Sequence, residues 1–190
     1  MNTYISSDWH FAHSNVLNLG SGRPFKSLTD MEDTIIENTN RVVQEDDRLI
    51  LAGDICLGHK RYWESMLDRL NCRNIILIQG NHDTWKNIPK NRFTIICQQL
   101  TMRVNGKLVL ISHYPYRAKW WKLWLHESVR KDPRRPVDRG FLLLHGHDHR
   151  STVGCEYHDR MISVGVDAHK FTPVNIEKLV ARFKGGVNGL

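Results

Sequence analysis

Five short clusters of carboxylate, imidazole and amide side chains are spread along this chain. In chain order they read Asp-Trp-His at 8–10, Gly-Asp at 53–54, Gly-Asn-His-Asp at 80–83, a histidine at 113 and Gly-His-Asp-His at 146–149. Oxygen and imidazole donors suit a pair of hard-to-borderline divalent cations, whereas a structural zinc site would use cysteine. The clusters therefore predict a centre for two metal ions.

The spacing within the clusters favours chelation. Asp8 and His10 lie two residues apart, and His147 and His149 repeat this spacing. Each pair can therefore present two donors on one side of an extended segment or of a turn at a strand end. A carboxylate such as Asp54 can bridge two ions. Two ions held together lower the pKa of water and clamp both oxygens of an in-line displacement, which is what phosphoryl transfer requires.

The elements that must position these clusters are short apolar strands. Segments 3–7, 48–52 and 74–79 are predicted strands, and two helices are predicted between them, one capped by Thr29 or Asp30 and ending near Gln44, the other over about 59–70. This alternation predicts a mostly parallel sheet, with ligands at the carboxyl ends of its strands. The glycines at 53, 80 and 146 are expected to free the backbone where each strand turns.

The second half of the chain predicts a second sheet. Asn105-Gly106 indicates a type I′ hairpin between strands at 101–104 and 107–111. Further strands are predicted at 141–144, 152–155 and 161–164, followed by a short helix from Val174 or Asn175. The length of 190 residues favours a single domain over 1–190.

The order of the five clusters resembles the calcineurin-like metallophosphoesterases, whose pattern is D-x-H, G-D, G-N-H-[DE], H and G-H-x-H. All five blocks are present between residues 8 and 149, although the fourth is Ser-His-Tyr-Pro where many relatives have Gly-His. The flanks at 164–167 and 173–174 are similar to those of the small stand-alone bacterial and phage members. The resemblance implies an α/β fold of two packed mixed β-sheets flanked by helices, a four-layer α/β/β/α sandwich.

The resemblance also implies a role for each matching residue. The implied ligands fall into three sets, with Asp8, His10 and His149 on one ion, Asp54 bridging, and Asn81, His113 and His147 on the other. His82 would protonate the leaving oxygen or stabilise its charge, and Asp83 would orient the His82 imidazole. The nucleophile would be a hydroxide bridging the ions. Mn²⁺ is the first expectation, and Fe, Zn, Ni and Co suit the same mixed ligands.

These roles imply a hydrolase that acts on phosphoesters. The intact His82 favours a phosphodiesterase on nucleotide-like or nucleic-acid substrates, because an alkoxide leaving group needs a proton donor. A nucleotide pyrophosphatase, a phosphomonoesterase and a nuclease are the enzymatic alternatives. A non-catalytic scaffold of the same fold is the remaining alternative, and the complete ligand set argues against it.

A basic, tryptophan-rich insertion lies around residues 117–139. It carries eight Lys or Arg against three acids, a local charge of +5 within a total of +7, and it holds three of the six tryptophans. One interpretation is an amphipathic helix packed on the sheets, a second is a lid over the site, and a third is docking on a membrane surface. Residues 133–136 are expected to form an exposed basic turn. The candidate substrate contacts are His13, Asn15, Arg23, Trp120, Arg134 and Arg135.

Composition narrows the class of protein. The hydrophobic fraction of 41% and the charged fraction of 25% are ordinary for a globular chain. Four cysteines without C-x-x-C spacing are expected to be reduced thiols. We expect a cytoplasmic protein, in the host cytoplasm if a phage encodes it, without a secretory leader or integral membrane association. The sequence indicates a phosphoester partner and no particular protein partner.

Overall fold

Two β-sheets, three α-helices and three short 3-10 helices make up the regular structure of the described residues. The computed structural model describes residues 1–18, 22–117, 133–149, 151–153 and 159–182. The strands are β1 (Thr3–Ser6), β2 (Arg48–Leu51), β3 (Asn74–Ile78), β4 (Ile95–Cys97), β5 (Gln99–Val104), β6 (Lys107–Ser112), β7 (Leu142–His145), β8 (Met161–Ser163) and β9 (Val174–Asn175). The helices are α1 (Leu28–Val42), α2 (Lys60–Asp68) and α3 (Ile176–Ala181).

The first sheet has the order β4-β3-β2-β1-β9. Its strands β1 to β4 run parallel, and β9 pairs with β1 antiparallel. Continuous apolar runs explain this arrangement, because a parallel sheet is covered on both faces. In β2, Leu49, Ile50 and Leu51 are all fully buried. The predicted alternation of strands and helices is therefore confirmed. The short edge strand β4 was not among the predicted strands.

The second sheet has the order β5-β6-β7-β8. Strands β5 and β6 form an antiparallel hairpin, and β6, β7 and β8 run parallel. Asn105 and Gly106 both have positive φ, at 49° and 78°, as a type I′ turn requires. The predicted hairpin is confirmed. A strand predicted at 152–155 is not formed at Thr152 or Val153, and its other two residues lie outside the described ranges.

Helices α1 and α2 cover the outer face of the first sheet. The cap of α1 is Ser27, whose Oγ accepts a hydrogen bond from the Asp30 backbone N at 3.1 Å. The predicted cap at Thr29 or Asp30 is therefore wrong. The serine hydroxyl reaches the free amide, and Asp30 instead places its charge in the first helical turn, where the helix dipole favours it. Helix α2 is capped by His59 and buries Trp63 and Leu67.

Three clusters of buried side chains separate the layers. The first packs α1 and α2 on the outer face of the first sheet, with Ile35, Trp63 and Leu77 among its members. The second lies between the two sheets and includes side chains from α3. The third lies on strands β6 to β8 and contains no side chain from a described helix. Two mixed sheets flanked by helices are confirmed, and residues 118–132 of the basic insertion lie outside the described ranges.

Two further expectations concern cysteines and membranes. Within the described residues Cys56, Cys72 and Cys97 are free thiols, and Cys155 falls outside that part of the chain. None of the described helices has the length and apolar character needed to cross a bilayer.

Candidate metal centre

The predicted ligands lie at one edge of both sheets, just beyond the carboxyl ends of β1, β2, β3, β6 and β7. Backbone hydrogen bonds tie these ends together. The Asp8 N donates to Gly53 O at 2.9 Å, and the Gly146 N donates to His113 O at 3.1 Å. A parallel bridge between Ser7 and Gly165 extends the contact. The topology therefore brings together five clusters that are far apart in sequence.

The ligand backbones have an unusual conformation. The φ angles of Asp8, His10, Asp54, His147 and His149 are 59°, 56°, 55°, 76° and 45°. Residues with a Cβ rarely adopt this left-handed region, and such strain collects at functional sites. Each Asp-x-His or His-x-His pair therefore converges through a turn at the strand end, which is one of the two arrangements that the spacing allowed.

Asp8, His10 and His149 form the first group of donors. One donor atom from each lies within 4.8 Å of the others. The Nε2 atoms of His10 and His149 are 3.1 Å apart, and the Asp8 Oδ1 lies 4.0 Å and 3.9 Å from them. Two imidazole nitrogens and a carboxylate oxygen that point at one another can hold a cation between them.

Asp54, His113 and His147 form the second group, again with donor atoms within 4.8 Å of one another. The His113 Nε2 lies 3.4 Å from Asp54 Oδ2 and 3.1 Å from Asn81 Oδ1. The other ring nitrogen of His113, Nδ1, lies 3.0 Å from the Ala52 carbonyl, which can only accept a hydrogen bond. A proton on Nδ1 leaves Nε2 available as a ligand.

Asp54 connects the two groups. Its Oδ2 lies 3.8 Å from the His10 Nε2 of the first group and 3.4 Å from the His113 Nε2 of the second. Its Oδ1 accepts a hydrogen bond from the His82 backbone N at 2.8 Å. One oxygen is thus fixed by the backbone, while the other faces both groups.

The electrostatics of the centre suit a cation. Burial lowers the pKa of His10 to about 2 and that of His147 to about 4, so both imidazoles are neutral at pH 7 and can act as ligands. Burial alone would lower the pKa of His113, but its contact with Asp54 outweighs this and raises the pKa to about 9. The buried carboxylate thus strongly favours positive charge beside it.

Asp8 is held by its neighbours. Its Oδ2 accepts from the Ser7 Oγ at 2.6 Å, and both of its oxygens lie 3.0 Å from the His147 backbone N. Burial raises the pKa of Asp8, and attraction to His113 and His149 opposes that shift. The carboxylate is enclosed, and it is oriented by one donor just after β1 and another just after β7.

Asp167 is a site residue that the sequence did not single out. Its Oδ2 lies 3.3 Å from the His149 Nδ1, so it orients the ring whose Nε2 joins the first group. Carboxylates often support metal-binding histidines in this way. The only sequence signal was the flank at 164–167, which carried no predicted role.

The contacts of Arg23 contradict its predicted role as a substrate contact. Its guanidinium is buried, forms an ion pair with Asp167 at 2.8 Å, and donates to the backbone oxygens of Asp8 and Trp9 at 2.7 Å and 3.1 Å. The prediction that it meets substrate is wrong, because its donors already serve the turn that carries the first group. Arg23 is a positioning residue.

Asp83 also differs from its predicted role. Its carboxylate is buried and accepts from the backbone N of Asp54 at 2.8 Å, of Ile55 at 2.9 Å and of Gly80 at 2.8 Å. These bonds join the two loops that follow β2 and β3. Asp83 therefore does not orient the His82 imidazole. It fixes the backbone that presents Asp54.

The three cluster glycines allow close approach. A Cβ at Gly80 would overlap the Asp54 carboxylate, and one at Gly146 would overlap the Asp8 carboxylate. A Cβ at Gly53 would overlap the His113 ring, and only this glycine of the three has a positive φ, 95°. Conformational freedom, the expected reason, therefore applies to Gly53. At Gly80 and Gly146 the requirement is space for a ligand.

Histidines border the open side of the centre. The His82 side chain is 42% exposed, and its Nε2 lies 3.9 Å from Asp54 Oδ2. The His13 Nδ1 lies 3.4 Å from the His10 Nδ1, and its ring centroid is 6.0 Å from that of His82. Asn15 is exposed on the 3-10 helix Ser14–Asn18, which follows His13. His82 and His13 thus lie next to each other and next to the first group of donors.

The basic turn at 133–136 is only half exposed. Arg134 is exposed, and its guanidinium lies 4.8 Å from the centroid of the Tyr114 ring, which is 5.0 Å from the His147 ring. Arg135 is buried, and its charge contributes to the lowered pKa of His147. The prediction of an exposed turn is therefore wrong for Arg135 and Pro136, which are both buried. Trp120 lies outside the described residues.

Comparison with known proteins shows full-length similarity. The chain is 26% identical over 190 residues to an uncharacterised protein of Methanocaldococcus jannaschii, MJ1445, and covers 92% of it with 96% of its own length. It is 28% identical over 201 residues to the Gene 66 protein of Mycobacterium phage D29, with 92% of each chain covered.

A solved structure shares the fold. The protein of unknown function AQ665 from Aquifex aeolicus superposes with a TM-score of 0.70 and 28% identity, over 95% of this chain and 98% of that one. The family model of the calcineurin-like phosphoesterase superfamily domain matches residues 1–174, which include all five clusters. The chain therefore belongs to the calcineurin-like phosphoesterase superfamily.

Proposed function

We propose that this protein is a metal-dependent phosphoesterase that uses two divalent ions. One ion would be held by Asp8, His10 and His149, the other by Asn81, His113 and His147, with Asp54 shared. The observation that carries the proposal is the position of Asp54 Oδ2, within 3.8 Å of the His10 Nε2 and 3.4 Å of the His113 Nε2. The donor set of oxygen and imidazole fits Mn²⁺ first, and Fe, Zn, Ni or Co as well.

The chemistry that this pair of ions supplies when bound is a water of lowered pKa and compensation of phosphate charge. The chain's own residues supply the rest. His82, exposed beside Asp54, would donate a proton to the leaving oxygen. Asp83 holds the loop that presents Asp54, and Asp167 orients the His149 ring. His13 would contact a phosphate oxygen next to His82.

We propose a phosphodiester as the substrate, on a nucleotide or a nucleic acid. An exposed His82 supports this choice, because proton donation matters most for an alkoxide leaving group, the kind that a nucleotide diester releases. Arg134, exposed beside the ring of Tyr114, would add attraction for a second phosphate or a polyanion.

A substrate panel tests this proposal. Hydrolysis by the Mn²⁺-loaded protein would be compared for bis(p-nitrophenyl) phosphate, p-nitrophenyl phosphate, a 2′,3′-cyclic nucleotide, a dinucleoside polyphosphate and single-stranded DNA. We expect a higher kcat/KM for the aryl diester than for the aryl monoester, and two ions per chain by elemental analysis. The same panel would be repeated with Zn²⁺, Ni²⁺, Co²⁺ and Fe²⁺.

The controls separate the competing functions. An Asp54→Ala protein purified in parallel reports any contaminating phosphatase. A preference for the monoester or the polyphosphate would replace the diesterase with a monoesterase or a pyrophosphatase. Two ions bound without hydrolysis of any substrate would support a non-catalytic scaffold.

A further inference from the structure

One exposed aromatic side chain lies close to the proposed catalytic histidine. Trp85 is 52% exposed, and no other Phe, Tyr or Trp among the described residues is classed as exposed. It lies three residues after His82, so their Cα atoms are at most about 11 Å apart. A large ring left in water forgoes the free energy that burial would give, which makes its position informative.

The loop that carries Trp85 is fixed by hydrogen bonds. The Gln79 Nε2 donates to the Asp83 carbonyl at 2.8 Å, and the Thr84 N donates to the His82 carbonyl at 2.9 Å. The Asn87 N then donates to the Thr84 carbonyl at 2.8 Å. The backbone at Trp85 is therefore held by the same loop that presents His82. A residue whose backbone is already fixed loses less conformational freedom when a ligand packs on its side chain.

The surroundings of Trp85 are positively charged. The Lys90 Nζ lies 4.1 Å from the centroid of the ring, an attractive cation–π contact. Lys86 and Lys90 have no ion pair with any described residue, while Arg92 is paired with Asp68. No Asp or Glu occurs between residues 83 and 127. An anion that carries an aromatic group is the ligand class that matches a cation beside an exposed ring.

We propose that Trp85 and Lys90 form a base-stacking platform beside the metal centre. In a nucleotide-containing ester the phosphate would lie at the centre, and the base would stack on the Trp85 ring while Lys90 attracts the anion. This inference rests on the proposed function and deepens it, because it names the residues that would recognise the nucleobase of the substrate. Stacking of one base on an aromatic side chain changes affinity by about tenfold in other proteins.

Binding of an inert ligand tests the platform without hydrolysis. The first probe is an adenosine 5′-phosphate analogue with methylene in place of the 5′ oxygen, and the second, without a base, is ethylphosphonate. Calorimetry would give their Kd values with the Mn²⁺-loaded wild type, Trp85→Ala and Trp85→Phe. The control is Ile95→Ala, since Ile95 is an exposed apolar residue on the edge strand β4, where it pairs with Ile76 and not with the loop that carries Trp85.

The expected pattern is specific to the base. Trp85→Ala should weaken binding of the adenosine probe by about tenfold and leave that of ethylphosphonate unchanged. Trp85→Phe should stay within about threefold of the wild type, and Ile95→Ala should match it. Equal weakening of both probes, no effect of Trp85→Ala, or no binding of the adenosine probe would overturn the platform. Base-dependent binding without hydrolysis of any ester would instead refute only the proposed function.

Discussion

The candidate metal centre has a buried floor and an exposed rim, and the two are held in different ways. We define the floor as Asp8, His10, Asp54 and His113, and the proposed rim as His13, His82, Trp85 and Arg134. No floor side chain is more than 2% exposed, whereas the His82 side chain is 42% exposed. Floor donors point at one another, whereas His82, Trp85 and Arg134 are exposed and His13 is half-buried.

This difference shows which part of the centre has a fixed geometry. Left-handed backbone at Asp8, His10 and Asp54, together with glycines that admit no Cβ, leaves the floor little room to adapt. The rim residues lie outside the strands, and we expect their side chains to be exchangeable with less effect on the floor. We therefore expect floor substitutions to act on metal binding and rim substitutions to act on the choice of substrate.

The largest effect is expected at the centre of the floor. Asp54→Ala removes the oxygen that faces both donor groups, and hydrolysis should fall by about 10⁴-fold or more, because a two-ion clamp contributes several kcal/mol. Metal content per chain, measured by elemental analysis, should fall with it. The matched control is Asp47→Asn, since Asp47 is a buried carboxylate that binds the backbone N of Asn2 and Gln44.

Asp47→Asn should keep both ions and most of the activity, even if it lowers the melting temperature. If Asp54→Ala retained both ions, Asp54 would not be the shared ligand. If the two variants lost metal equally, the floor would be sensitive to any loss of stability.

The second largest effect is expected at His82 on the rim, and its size should depend on the leaving group of the substrate. His82→Ala should slow hydrolysis of an alkyl nucleotide diester by about 10²-fold or more, because the alkoxide loses its proton donor. The p-nitrophenyl diester should lose less than about tenfold, since its leaving group needs no proton. Metal content should stay at the wild-type value. A uniform loss on both esters would assign His82 to phosphate binding.

Much of the floor could be predicted from the sequence, because local rules set it. Strands β1, β2 and β3 were recognisable as apolar runs, and parallel strands must end at one edge. This rule alone predicts that Asp8 and Asp54 lie close together. The edge strand β4 was missed because it has only three residues, one of them 46% exposed.

What supports the floor could not be predicted, because it depends on contacts between distant parts of the chain. Arg23 and Asp167 are 144 residues apart, and neither has a local pattern that indicates an ion pair. Arg23 in a polar loop therefore suggested a substrate contact. The predicted role of Asp83 was wrong for a related reason. A carboxylate next to a histidine suggests a hydrogen-bonded pair, but the Asp83 carboxylate accepts hydrogen bonds from backbone amides of another loop.

The third largest effect is expected at Asp167, which supports the floor through His149 and Arg23. Asp167→Asn keeps the shape but removes the charge that faces the His149 Nδ1 and Arg23, and Mn²⁺ affinity should fall by about 10- to 100-fold. Calorimetric titration of Mn²⁺ into the metal-free protein measures the change in affinity at the first group of donors. Asp33→Asn, which breaks the exposed ion pair with Arg69, is the control and should leave affinity unchanged. Unchanged affinity in Asp167→Asn would limit Asp167 to a role in stability.

The smallest effect should appear at the outermost rim residue. Arg134→Met removes an exposed charge beside Tyr114 while keeping much of the side-chain length, so that KM for a nucleotide diester should rise by about two- to fivefold with kcat unchanged. The increase should vanish in 1 M salt, because the Debye length is then only about 3 Å. Arg139→Met, at another exposed arginine of the same segment, is the control and should show less than half of that increase. A change in KM that persists at high salt would mean that Arg134 acts through packing on Tyr114. In that case the charge that attracts substrate would have to come from elsewhere on the rim, with Lys90 as the next residue to test.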